Sequence, residues 1–368
     1  MRVPDPKQTS DESMKHEQVK TTSSRKRRFA IKTVTRGAVI RLAVLAVFLG
    51  IFVLYAYFAM IKMPGKSFAG PLPPLTDEQA LLADELAADV KQLAGSIGER
   101  NVWMYQSLQA AVEFIETSLT DAGYKVRKQD YSAESRICSN LEVQLTGTEC
   151  PEQIVVIGAH YDSVLNCPGA NDNGSAVAAA LALARRFASR QTDRTLRFVL
   201  FANEEPPFYK TDQMGSVVYA KSCREKNENI VAMLSLETMG YYSDEPKSQK
   251  YPFPLNFVYP STGNFIGFVS NLSSRGLLHT VIASFRKNCS FPSQGGAIPE
   301  FVPGTNWSDH WAFWQQGYPA MMVTDTALFR YQHYHTPEDT PEKIDYDRLA
   351  RVVSGLEKVI TELTDTPI

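Results

Sequence analysis

The chain has 368 residues, 44% of them hydrophobic and 21% charged, which leaves room for one large domain or two ordinary ones and excludes wholesale disorder and a polytopic membrane protein. A formal net charge of −2 provides no basic excess for a nucleic-acid surface. Cys138, Cys150, Cys167, Cys223 and Cys289 have neither CxxC nor zinc-finger spacing, which argues against a cysteine metal site, and their odd number leaves at least one thiol unpaired within a chain.

Residues 1–41 are polar, carry Arg25, Lys26, Arg27 and Arg28 in succession, and read as a basic cytoplasmic tail. From Leu42 to Ile61 every residue is apolar, Gly or Tyr, and a run of about 20 such residues is what an α-helix needs to cross the hydrocarbon core. The spacing predicts a single transmembrane helix over 42–61. A long polar segment ahead of it argues against a cleaved signal peptide, although Ser67 and Ala69 form a small-x-small cleavage pattern. Basic residues are denser before the span than after it, so the amino terminus stays in the cytoplasm and the rest faces outward. The same basic run matches a nuclear-localisation pattern, but the neighbouring span makes topology the better explanation.

Pro64, Pro71, Pro73 and Pro74 make 62–75 an extended proline-rich linker. A single catalytic domain is then expected over 76–368. It opens on a helix with Asp77 and Glu78 in its first turn and apolar Leu81, Leu82, Leu86, Val90 and Leu93; a second helix covers Leu108 to Leu119. Beyond these, short β-rich runs at 154–157, 196–201, 230–236, 257–259 and 320–324 alternate with helical stretches at 175–188, 215–225, 263–286 and 346–363. Buried strands with helices between them imply an α/β fold, a largely parallel sheet covered on both faces. In such sheets ligands bind beyond the carboxyl ends of the strands.

The polar residues fall on that edge. The run at 154–157 leads to His160 and Asp162; a glycine loop brings Asp172 to the next helix start, where Asp172 or Asn173 can cap. The run at 196–201 delivers Glu204 and Glu205, 230–236 delivers Glu237, and past the run at 320–324 come His333, Tyr334 and His335. Asp309 and His310 also lie between these motifs. Two histidines with three carboxylates form a nitrogen and oxygen set suited to zinc, and one carboxylate shared by two ions would give a co-catalytic pair. Taken singly, His160 reads as a hydrogen-bonded structural residue and Glu204 with Glu205 as a solvated turn; their joint placement favours a site. His16 and His279 read as structural or solvated, and His310 and His333 as supporting or packing residues. Tyr241, Tyr242, Phe208, Phe313 and Trp314 could line an apolar pocket, although such aromatics more often belong to the core. Asn271 and Asn288 stand in glycosylation sequons, as do Asn173 and Asn306 beside the metal motifs.

Gly158-Ala-His-Tyr-Asp-Ser163, Gly169-Ala-Asn-Asp-Asn-Gly-Ser175, Asn203-Glu-Glu205, Ser308-Asp-His310 and Tyr334-His-Thr-Pro-Glu-Asp-Thr340 together resemble the motifs of the co-catalytic zinc aminopeptidases and glutamate carboxypeptidases, family twenty-eight of the metallopeptidases. The resemblance runs from about residue 76 to the end and implies a zinc aminopeptidase-like fold with two Zn²⁺ ions per chain. Residue by residue, it makes His160 and Glu237 terminal ligands of one ion, Glu205 and His335 terminal ligands of the other, and Asp172 the bridge. It makes Glu204 the general base, Asp162 the carboxylate that orients His160, and Tyr334 an oxyanion donor. It also implies a cis Asp172–Asn173 peptide. Several family members have Asp where Glu237 stands, so the geometry at that ligand is expected to differ. The activity implied is removal of amino-terminal residues from a peptide or small amide substrate by a membrane-held exopeptidase. The competing readings are a single-zinc glutaminyl cyclase, for which Asp172, Glu205 and His335 would suffice, and a metal-free binding ectodomain, from which ligand losses would be expected.

Overall fold

The computed structural model describes residues 35–365. The basic run at 25–28 and His16 lie outside the described residues. Chain contacts separate two units, Met1–Phe52 and Val53–Ile368. Helix α1, Arg36–Ala56, continues through a wide turn at Tyr57–Ile61; the 26 residues from Arg36 to Ile61 are long and apolar enough to cross a membrane, and α1 buries none of its side chains. It starts six residues ahead of the apolar run, because Arg36 and Arg41 are compatible with helix even where they are not compatible with lipid.

In the second unit, α2 (Asp77–Val90) starts where Thr76 and Gln79 close a reciprocal capping box, and α3 (Tyr105–Asp121) follows. Strands β1 (Arg127–Ala133) and β2 (Arg136–Leu145) form an antiparallel hairpin. Its two-residue turn, Glu134 and Ser135, has both φ angles positive at 48° and 59°, the geometry that matches strand twist. Then come β3 (Cys150–His160), α4 (Ala176–Phe187), β4 (Arg194–Phe201), α5 (Gly215–Glu225), β5 (Asn229–Glu237), β6 (Ile266–Ser270), α6 (Arg275–Asn288), β7 (Ser293–Ala297), α7 (His310–Gln315), β8 (Ala320–Thr324), α8 (Ala327–Arg330) and α9 (Tyr346–Asp365).

The eight strands form one sheet in the order β1-β2-β4-β3-β5-β8-β6-β7. Four pairings are parallel, β3 with β4 and with β5, β5 with β8, and β6 with β7; β1/β2, β2/β4 and β6/β8 are antiparallel. The sheet is therefore mixed: parallel through β4, β3, β5 and β8, antiparallel at the β1/β2/β4 flank and at β8/β6, and parallel again at the β6/β7 edge. One strand and one helix assignment need correction. The run at 257–259 ends a 3-10 turn, Leu255–Phe257, instead of forming a strand, and the stretch at 263–286 is β6 followed by α6 instead of one helix.

Period-two alternation sorts the central strands. Val155, Ile157 and Ala159 of β3 pack towards α2, α4, α6 and α9, while Ile154 and Val156 pack with Val217, Tyr219, Ala312 and Phe313 of α5 and α7. Each fully buried aliphatic or phenyl group there contributes about 1.5–3 kcal/mol. From Ala176 to Ala184 helix α4 has only alanine, leucine and one valine, all buried, which lets it lie close against the sheet and holds the loop preceding it in place. Phe208, Tyr242, Phe313 and Trp314 are buried in this core. All five cysteines are free thiols. The Asn271 amide is buried and donates to Glu300 while its oxygen accepts from Ser273 and Ser274, which ties this sequon into the entry of α6.

Candidate metal centre

The parallel strands β3, β4 and β5 end side by side, and their sequences place a different chemical group at each end. His160 is the last residue of β3; Glu204 and Glu205 follow β4; Glu237 is the last residue of β5. Asp172 arrives in the turn before α4, Ala170–Ser175, and the Asp172–Asn173 peptide is cis, as the resemblance implies. His335 follows β8 and α8 with a positive φ of 59°, which turns its ring back towards the strand ends.

These side chains form two donor groups that share one residue. His160, Asp172 and Glu237 each offer an atom within 4.8 Å of the others, and so do Asp172, Glu205 and His335. The division at Asp172 is atom by atom: Oδ1 lies 3.4 Å from His160 Nε2, and Oδ2 lies 3.1 Å from His335 Nε2. Glu237 Oε2 is 3.4 Å from His160 Nε2, and Glu205 Oε2 is 3.3 Å from His335 Nε2. Glu204 Oε2 stands further off, 3.9 Å from His160 Nε2.

A surrounding set of hydrogen bonds fixes these donors. Asp162 Oδ1 lies 3.4 Å from His160 Nδ1, and its two oxygens accept the backbone N–H groups of Glu204 and Glu205 at 3.1 Å each. One carboxylate thus sits beside the histidine and sets the turn carrying both glutamates. Ser308 donates to Glu237 Oε2 at 2.7 Å. Asp339 accepts from the backbone N–H of Asn171 at 2.8 Å and of Asp172 at 3.1 Å, and from the Tyr331 hydroxyl. Arg100, fully buried, donates to the carbonyls of Tyr161, Pro168 and Gly169, tying the end of β3 to the loop that presents Asp172. Arg100 and Asp339 carry no signal in the sequence as supporting residues, because bonds to main-chain groups leave no spacing signature, and Asn171 and Ser308 show only as members of the quoted motifs. Arg100 lies in a polar Gly98-Glu99-Arg100-Asn101 stretch between two helices, and Asp339 within the last motif.

The charge balance tests whether cations fit. Asp162, Asp172, Glu204, Glu205, Glu237 and Asp309 are all buried around two imidazoles. Burial lifts Glu204 well above the carboxylate range, with Glu237, Glu205 and Asp309 adding to the rise. Burial likewise raises Glu205 to about 7 and Asp309 to about 7. Burial opposes ionisation of Asp172 too, yet the two histidines hold it below the usual carboxylate range. Burial would lower His335, but Asp172 and Glu205 push it up to about 11; His160 rises for the same kind of reason through Glu237, Asp162 and Asp172. Both ring nitrogens of His160, His335 Nε2 and Glu205 Oε1 are buried without a hydrogen-bond partner among the described residues. Such atoms are costly unless something compensates them. Nitrogen and oxygen donors, converging, deprotonatable and otherwise unsatisfied, are the set divalent zinc takes.

Tyr334 stacks on the His335 ring, centroids 3.9 Å apart at 17°. With Glu237 it lines a cleft whose walls include Tyr251, Leu255, Phe265, Phe268, Trp307 and Phe329. Glu237 is its one charged lining residue. This wall does not use Tyr241, Tyr242, Phe208, Phe313 or Trp314, aromatics that lie near the motifs in sequence. His310 is buried, its Nε2–H donating to the Thr305 carbonyl at 2.9 Å and its ring meeting Trp314 edge to face, a packing role. His333 lies beside Tyr331, ring centroids 5.4 Å apart.

The chain is 33% identical over 282 residues to the uncharacterized protein YfbL of Escherichia coli strain K12, covering 74% of this chain and 86% of YfbL. A zinc aminopeptidase from Bacillus subtilis superposes with a TM-score of 0.62 at 16% identity, covering 77% of this chain and 95% of that one. A glutaminyl cyclase from Fimbriiglobus ruber superposes with a TM-score of 0.57 at 19% identity, covering 80% and 97%. Residues 140–360 match Peptidase family M28, so the chain belongs to that family and is a zinc metallopeptidase.

Proposed function

We propose that this peptidase is a membrane-anchored aminopeptidase that binds two zinc ions. His160 and Glu237 would hold one ion, Glu205 and His335 the other, and Asp172 both. The observation that carries the reading is the split of Asp172, one oxygen towards each histidine. Zinc bound there supplies Lewis acidity and lowers the pKa of bound water to about 7. Glu204 stands apart from the tighter donor contacts and is the proton acceptor, passing the proton from its carboxylate to the leaving amine. Asp162 keeps the His160 ring in register through Nδ1. The Tyr334 hydroxyl is the donor for the developing oxyanion. The cleft beside Glu237 and Tyr334 suits a large apolar residue next to the scissile bond.

The second reading is a single-zinc glutaminyl cyclase, favoured by the completeness of Asp172, Glu205 and His335 as a group. Zinc per chain, measured on the purified full chain alongside hydrolysis of amino-acid arylamides and cyclisation of amino-terminal glutamine, separates the two. About two zinc ions with faster turnover of leucine than of acidic arylamides supports the aminopeptidase. One ion with cyclisation and no hydrolysis overturns it. The anchor is read from Leu42–Ile61, with the amino terminus cytoplasmic and the catalytic domain outside; reporter fusions at the two termini check it, and a cytoplasmic carboxyl terminus refutes it.

A further inference from the structure

Phe253, Phe257 and Phe301 are 82%, 75% and 86% exposed, the most exposed large apolar side chains among the described residues. Globular surfaces rarely cluster bare phenyl groups without a use. Phe253 and Phe257 touch edge to face at 5.9 Å. Their loop returns through Tyr259, which stacks on Tyr251 and donates to the Gly295 carbonyl of β7 at 2.8 Å. Phe301 follows β7 by four residues, and its neighbour Val302 lines the cleft, as do Leu255 and Tyr259. The three phenyl groups therefore stand on the rim of the apolar cleft.

The same strand holds the end of the apolar run. Tyr57–Ile61 lies against β7. Arg275 donates to the carbonyls of Ala59 and Phe58, and Arg286 to that of Pro64. Met63 fills the space over Gly295, where a Cβ would come within 3.0 Å of its Cγ. Lys62, the first charge after the run, lies 4.8 Å from the Phe58 ring centroid, the pairing of aromatic and lysine that marks a water–lipid boundary. If the run spans a bilayer, Ile61 and Lys62 sit at its surface, and β7, roughly 17 Å long at five residues, carries the phenyl groups within reach of that surface. Glu300, the acid next to Phe301, is held by the Asn271 amide.

We propose that Phe253, Phe257 and Phe301 dip into the lipid surface beside the anchor, so that the cleft opens onto the bilayer and receives the apolar end of membrane-partitioned peptides. This rests on the reading of 42–61 as a membrane span. The test uses the full chain in phosphatidylcholine vesicles with brominated acyl chains, which quench tryptophan on contact. Phe253→Trp, Phe257→Trp and Phe301→Trp are each compared with the unsubstituted chain, with Leu49→Trp within the apolar run, and with Ile137→Trp. Ile137 is 53% exposed on β2 near the opposite edge of the sheet, six strand spacings or roughly 29 Å from β7. The expected result is quenching of all three phenylalanine replacements at least twofold above Ile137→Trp. Quenching of Leu49→Trp with the three replacements no different from Ile137→Trp overturns the proposal and points to a protein partner or second copy on the rim. An unquenched Leu49→Trp overturns the anchor and the proposal with it.

Discussion

Glu204 and Glu205 are adjacent in sequence and differ in what their carboxylates face. Glu205 Oε2 lies 3.3 Å from His335 Nε2, within a donor group, whereas Glu204 approaches His160 only to 3.9 Å. Glu205→Ala removes an oxygen donor and is expected to lower zinc content as well as turnover. Glu204→Gln keeps shape and hydrogen bonding but cannot accept a proton, so zinc per chain should stay unchanged while turnover falls by roughly 10²-fold or more. Metal analysis and arylamide hydrolysis on both variants check this; an active Glu204→Gln removes Glu204 from the role of base. At this scale the sequence is most legible where a candidate residue closes a strand, as at His160 and Glu237, or follows one closely, as at Glu205, since strand ends can be read from apolar runs. Asp339 and Arg100 were not legible as supports, because they act through carbonyls and N–H groups that any residue possesses.

Among the elements, the central strands were readable because burial on both faces makes them continuous apolar runs. The flanks were not. Strand β1, Arg-Lys-Gln-Asp-Tyr-Ser-Ala, is largely exposed and so carries no hydrophobic signal, and β7 contains two glycines, which ordinarily argue against a strand. The glycines have a packing reason. A Cβ on Gly296 would fall 2.6 Å from the Tyr259 hydroxyl and 2.8 Å from Ile298 Cδ1, so that position keeps the cleft wall open. Gly296→Val should narrow the cleft and raise KM for leucine or phenylalanine arylamides several-fold more than for alanine arylamide, with zinc content unaltered. An equal change in KM for all three would place Gly296 outside the binding wall. The run at 257–259 misled for the converse reason: its residues are apolar because they belong to the cleft and its rim, not to a sheet.

For the whole molecule, metal and fold stability are linked. In the metal-free chain, burial lifts Asp309 from 3.8 to about 7 and Glu205 from 4.5 to about 7. A carboxyl group held above its unfolded value keeps its proton in the fold after the unfolded chain has lost it. The stability it contributes is complete below about pH 4 and disappears as pH rises through 7. Asp172, lowered by its histidines, acts in the opposite sense but below that window; His310, which burial lowers to about 4, opposes the trend within it, one group against the raised Glu205, Asp309 and Asp325. The chelated chain should therefore show a Tm that falls between pH 4.5 and 7, and zinc should raise Tm most at the upper end. Thermal unfolding with and without chelator checks it; a Tm of the chelated chain that rises across this window would contradict the reading.

The covering of β7 has a consequence for how the chain can be cut. This strand closes one side of the sheet, and an open strand edge recruits other strands. Here Ser67 accepts from the Ser293 N–H, Arg286 donates to the Ser293 carbonyl, and Tyr259 donates to that of Gly295, while Tyr57–Ile61 lies alongside. The stretch ahead of the catalytic domain thus acts as a seal against polymerisation. A soluble form beginning at Thr76 should form concentration-dependent oligomers by light scattering, whereas one that retains Tyr57 onward should have β7 covered, and equal behaviour of the two would show that the edge needs no seal.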